Sequence, residues 1–165
     1  MAQAPFSIQT VCTGNICRSP MAAAVLASFL DDAALSGLTR VGSSGVSGEE
    51  TGNRIDRRAA RALRRRGYLP DADHRAHRIT RDELETTDLI LPATFGHYRS
   101  LIGRGASPDR VRMMREFDPA VAGLAPGFEL DIEDPWYGSD EDFESALTQI
   151  EAAAPGVVDY VRELV

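Results

Sequence analysis

The chain has 165 residues, 43% hydrophobic and 26% charged, with a formal net charge of −7, an ordinary globular balance that excludes fibrous and wholly disordered classes. That acidic total argues against non-specific binding to nucleic acid, which rewards basic charge, and no apolar run reaches the ~18 residues of a membrane helix. Cys12 and Cys17, the two cysteines, make neither a disulfide framework nor a zinc ligand set, and the N-terminus lacks the basic and apolar stretches of a signal peptide. A cytoplasmic protein with no metal or cofactor is expected, monomeric because no apolar surface stripe is left over after the core assignments.

Phe6 to Val11 alternates apolar and polar positions among β-formers and stops at a Gly/Asn turn, so it predicts a first strand. Ser19 is the predicted N-cap and Pro20 the predicted first residue of the helix that follows. Its Ala22, Val25, Leu26, Phe29 and Leu30 recur at the spacing of a buried stripe. A second strand is predicted from Thr39 to Ser43, and then a helix with Ile55, Ala59, Ala62 and Leu63 inward, ended by Gly67. Leu89 to Leu91 and Val111 to Met114 read as further strands, separated by a helical piece from Tyr98 to Ile102. The last helix should start after Gly138 and Ser139, with Phe143, Leu147 and Ile150 inward. Pro155 and Gly156 should kink or split it before Val157, Val161 and Leu164. This alternation predicts one α/β domain over residues 1–165, a parallel sheet with helices on both faces. All 18 basic residues are arginine. Seven lie between Arg54 and Arg66, whereas Glu129, Asp131, Glu133, Asp134 and Asp140 to Glu144 form an acidic stretch; both read as solvated faces.

The turn after the first strand, Cys12-Thr13-Gly14-Asn15-Ile16-Cys17-Arg18-Ser19-Pro20, carries the chemistry. Between a strand end and a helix N-terminus, backbone N–H groups converge and the helix dipole adds partial positive charge, so the turn is an anion cradle. Gly14 is expected to take a backbone angle closed to other residues, and Asn15 tolerates the left-handed region. Arg18 can grip two phosphate oxygens at once. Cys12 lies beneath that anion, where helix terminus and arginine favour the nucleophilic thiolate. Ser19 can donate its hydroxyl to that sulfur.

Residues 12 to 20 resemble the Cys-x-Gly-Asn-x-Cys-Arg-Ser-Pro loop of the low-molecular-weight protein tyrosine phosphatases. The resemblance spans nearly the whole chain, through Ser43 with Gly45, Asp56 and Arg58, His74 with Ala76, and Asp134-Pro135-Trp136-Tyr137-Gly138. It implies a four-stranded parallel sheet with the phosphate-binding loop between first strand and first helix. It also implies hydrolysis of phosphotyrosine: Cys12 attacks phosphorus, Arg18 and the loop amides of Thr13 to Ser19 hold the charge, and Asp134 is general acid, then base. Asn15, Ser43 and His74 are the implied supporting hydrogen-bond network, while His77 and His97 read as surface residues. Cys17 is expected to shield Cys12 from irreversible oxidation through a reversible disulfide.

The implied partners are tyrosine-phosphorylated proteins and an oxyanion in the loop. Trp136 and Tyr137 can form one wall of a slot for the ring, and Ile16, where relatives resembling arginine phosphatases have threonine, favours phosphotyrosine. The chain departs from the family pattern in two places. Glu49 and Glu50 stand where several relatives carry an aromatic wall, and Thr94 replaces an aspartate after the third strand. Two alternatives are weaker. Arsenate reductases relay electrons through later cysteines, and none follows Cys17; a phosphate-binding pseudo-enzyme would lack the nucleophile or the acid.

Overall fold

A computed structural model describes residues 3–165. Three parallel strands, β1 (Phe6–Cys12), β2 (Thr39–Gly45) and β3 (Leu89–Pro92), form a sheet in the order β2-β1-β3. Strand β1 is therefore central, and all four residues of β3 are buried. The alternation of side chains along a strand assigns the layers. Ile8, Cys12, Leu89 and Leu91 enter one core with helices α1 (Arg18–Asp32), α2 (Arg57–Arg65) and α5 (Asp140–Arg162). Val11 and Ile90 enter the other, under α3 (Arg81–Thr86) and α4 (Phe95–Gly103). Cys12 thus points to the side where α1 begins.

The expected fourth strand is reduced to a single parallel bridge between Ile90 and Val111. Arg112 N–H still reaches the Ile90 carbonyl at 3.0 Å, but the Met113 N–H is taken by the Glu116 carboxylate at 2.5 Å. That carboxylate starts a 3₁₀ turn over Met114–Phe117, which ends the extended run after one bridging residue.

Helix α5 runs unbroken through Pro155 instead of splitting there. Proline removes one N–H from a long ladder, yet Ala153, Ala154, Val157 and Val158 are all buried around it. At Gly156 the helix passes so near the 3₁₀ turn that a Cβ would meet the Phe117 carbonyl at 2.3 Å. Packing on both sides of the proline holds the helix. Leu164, expected to face inward, lies beyond the helix end and is 51% exposed, with its neighbour Val165 at 44%.

The two charged stretches do not face solvent separately. Helices α2 and α5 pack against each other, and Arg61 and Arg65 reach Asp140 at 3.7 and 3.6 Å while Arg66 reaches Glu144 at 2.8 Å. Gly67, with φ of 83°, terminates α2 in the left-handed region as expected. Among the described residues no helix is long and apolar enough to cross a membrane.

Candidate active site

Helix α1 starts at Arg18, two residues before the Pro20 that a Ser19 cap would make its first residue. Cys17 occupies the cap position and makes no side-chain cap bond, whereas α3, α4 and α5 all begin with capping boxes. Ser19 is instead inside the first turn. Its hydroxyl lies 3.1 Å from Cys12 Sγ and accepts from Asn15 Nδ2 at 2.8 Å. The site claims the hydroxyl that a cap would have used, and the amides of the helix N-terminus face the loop.

Asn15, not Gly14, carries the left-handed backbone, with φ of 61°. Fully buried, it satisfies every polar group of its amide. Nδ2 donates to Ser19 Oγ and, at 2.9 Å, to Ser43 Oγ; Oδ1 accepts the His77 N–H at 3.1 Å. His74 Nε2 donates to the Asn15 carbonyl at 2.7 Å. The expected network of Asn15, Ser43 and His74 is thus assembled, with His77 joining through its backbone. Gly14 packs under Glu50, whose Cγ would lie 2.9 Å from an added Cβ.

Arg18 is 4% exposed. Its Nη1 donates to the Ile132 carbonyl at 3.0 Å, and its Nη2 lies 3.3 Å from both Thr13 Oγ1 and Asp134 Oδ2. The buried Nε has no hydrogen-bond partner among the described residues, an expensive state that a bound oxyanion would relieve. Asp134 caps the short turn Pro135–Tyr137, accepting the Trp136 N–H at 3.1 Å. It remains partly exposed, across a cleft of about 120 Å³ that Cys12, Ile16, Glu49, Trp136 and Tyr137 also line.

Arg58 braces the aromatic wall. It lies over the Trp136 ring at 5.4 Å, donates to the Trp136 carbonyl at 3.1 Å, and is paired with Asp56 at 3.1 Å. Burial opposes the Asp56 charge, but the hydrogen bonds from Arg58 outweigh it and hold the carboxyl below its usual range. Cys12 and Cys17 are both free and buried. Burial, with Asp56 adding to it, pushes the Cys17 thiol well up, so Cys17 stays protonated.

The family model described as low molecular weight phosphotyrosine protein phosphatase matches residues 7–164. The chain belongs to this family. It is 42% identical over 159 residues to low molecular weight protein-tyrosine phosphatase A of Mycobacterium tuberculosis, covering 96% of this chain and 93% of that one. It is 40% identical over 160 residues to the low molecular weight protein-tyrosine-phosphatase of Streptomyces coelicolor, covering 94% and 93%. A solved protein tyrosine phosphatase of Entamoeba histolytica, with Hepes in its active site, shares the fold at a TM-score of 0.85 and 23% identity, covering 96% of this chain and 97% of that one.

Two residues of this low molecular weight phosphatase site were not singled out for their roles by sequence. A Cβ on Gly45 would lie 2.4 Å from the Thr13 carbonyl, so only glycine lets the end of β2 pass under the loop; the Ser-x-Gly match marked the position without this reason. His97 is not a surface residue. It is 6% exposed and contacts Thr13 Oγ1 at 2.8 Å, and the one available signal was its place three residues after Thr94, at the start of a helix.

Asn15→Ala removes the side-chain bonds and puts alanine in the left-handed region, so urea denaturation should show a loss of about 2–4 kcal/mol. A loss under half a kcal/mol, on the order of a surface substitution, would contradict the network. Burial, followed by the Arg18 charge, lowers the His97 pKa to about 3. The unfolded chain, with a histidine near about 6.5, then binds a proton that the native state refuses, so stability should fall as pH drops from about 6.5 towards 3. Denaturation curves of His97→Gln should lack that part of the slope.

Proposed function

We propose that the chain is a metal-independent protein-tyrosine-phosphatase, working as one domain over residues 1–165 on tyrosine-phosphorylated proteins. The observation that carries this reading is that Cys12, with Ser19 Oγ 3.1 Å from its sulfur, lines one cleft with Asp134 and with Arg18, whose buried Nε has no hydrogen-bond partner among the described residues. Each matches a need of phosphoryl transfer: nucleophile, stabiliser of the sulfur, charge clamp and acid.

In the first step the Cys12 thiolate attacks phosphorus as the bond to the leaving oxygen breaks, and Asp134 gives that oxygen its proton. An oxyanion in the cradle draws the Arg18 fork to itself and leaves Asp134 Oδ2 to the leaving group. In the second step water attacks phosphorus and passes a proton to the Asp134 carboxylate. The S–P bond breaks, inorganic phosphate leaves, and the Ser19 hydroxyl stabilises the returning thiolate. Arg18 with the amides of Thr13, Gly14, Asn15, Ile16 and Cys17 holds the equatorial oxygens throughout. Trp136 and Tyr137 wall the slot for the tyrosine ring, opposite Glu49.

Hydrolysis of an aryl phosphate with EDTA present tests the reading. Cys12→Ser should abolish turnover, and Asp134→Ala should lower kcat by roughly 10²- to 10⁴-fold. Well-folded native protein that binds phosphate without hydrolysing the ester would contradict it. Glu49 and Glu50 both line the cleft, so phosphopeptides flanked by basic residues should have higher kcat/KM than acidic ones. Changing both glutamates to Gln should erase most of that preference; an unchanged ratio would remove them from substrate choice.

A further inference from the structure

Thr94, His97 and Thr13 form a line of polar contacts that ends on Arg18, and the chemistry above uses none of their side chains. Thr94 caps α4, its Oγ1 accepting the His97 N–H at 3.1 Å while its own N–H donates to His97 Nδ1 at 3.2 Å. A ring nitrogen that accepts carries no proton, so the neutral imidazole holds its hydrogen on Nε2. Nε2 therefore donates to Thr13 Oγ1, 2.8 Å away. The same oxygen accepts from Arg18 Nη2 at 3.3 Å. A hydroxyl oxygen has two lone pairs, and His97 and Arg18 occupy both.

This arrangement fixes the guanidinium at two points. The Ile132 carbonyl holds Nη1 at 3.0 Å, and Thr13 holds Nη2. The remaining partner of Nη2 is Asp134 at 3.3 Å, which must leave the arginine to act on a leaving group. Thr13 alone is a poor anchor, because a threonine hydroxyl can rotate and offer its hydrogen instead of its lone pair. The imidazole removes that freedom: it can only donate here, and it is itself locked by the helix cap.

We propose that His97 is a positioning residue for Arg18, holding the Thr13 hydroxyl as an acceptor so that the guanidinium keeps its fork turned to a bound phosphate. The proposal rests on Arg18 being the phosphate clamp. It also gives Thr94, which departs from the family pattern, a function: its backbone N–H and hydroxyl set the ring's tautomer and tilt.

The test compares inorganic phosphate binding and aryl phosphate hydrolysis in the native protein, His97→Asn, His97→Gln and Thr13→Val. Asparagine can still accept from Thr94 N–H but is too short to reach Thr13; glutamine places an amide donor near the position of Nε2. His97→Asn and Thr13→Val should each weaken phosphate binding and lower kcat about ten-fold, the loss of one oriented hydrogen bond. The double variant should be no worse than either single one, and His97→Gln should recover most of the loss. Native phosphate affinity in His97→Asn, or losses that multiply in the double variant, would overturn the proposal. ¹⁵N spectra of the native protein give a readout that needs no variant to fold: the ring should be the Nε2–H tautomer across about pH 5 to 8, and an Nδ1–H ring would overturn the proposal. Phosphate binding without ester hydrolysis by the native protein would defeat the enzymatic reading, while the binding comparison would still decide the role of His97.

Discussion

The left-handed backbone of Asn15 is the constraint on which the loop depends. With φ of 61° it reverses the chain between β1 and α1, and a β-carbon in that region costs about 1–2 kcal/mol. The cost is offset locally by bonds to Ser19, Ser43, His77 and His74. These partners come from three places along the chain, so the loop closes only when β2, the 74–77 segment and α1 are all in register. Gly45 adds a steric condition, since a side chain there would collide with the Thr13 carbonyl. The fold and the loop are therefore one problem: the central position of β1 brings both neighbouring connections to its carboxyl end.

Arg18 shows the same dependence in electrostatic form. A guanidinium that is 4% exposed needs fixed acceptors, and it takes them from the Ile132 carbonyl, Thr13 and Asp134. Each holds the charge without surrounding it, and Nε is left without a hydrogen-bond partner among the described residues. Asp56 and Arg58 do comparable work at the aromatic wall, where Arg58 spans from the start of α2 to the Trp136 carbonyl. Arg58 also lies over the ring of Phe143 in α5 at 4.6 Å, so the mouth of the cleft is tied to α2 and α5 and not carried on a free loop.

The central site was legible because its chemistry is local. Cysteine, glycine, asparagine, arginine and serine within eight positions, between an alternating strand and a helical stripe, state the anion cradle without tertiary information. Asp134 could be placed only through the family resemblance, because nothing in an acidic run distinguishes one carboxylate. What escaped sequence reading was long-range or competitive. His97 reaches Thr13 across 84 positions. Ser19 has the chemistry of a cap, yet Cys12 and Asn15 compete for its hydroxyl and win. The fourth strand fails because the turn over Met114–Phe117, held by the Glu116 carboxylate on the Met113 N–H, begins where the next ladder residue would lie, and Pro155 is overridden by packing that local propensity does not contain. The arginine and acidic stretches look like separate solvated faces until the pairing of α2 with α5 brings them together.

The proposed chemistry turns on a covalent bond between Cys12 and phosphorus. Rapid quenching of the native protein during turnover of an aryl phosphate, followed by peptide mapping and ³¹P spectroscopy, tests it directly. A thiophosphate on the peptide containing Cys12, formed as fast as the first equivalent of phenol is released, is the predicted result. Phenol release with no phosphorylated peptide, or with the phosphoryl group on Ser19, would contradict it.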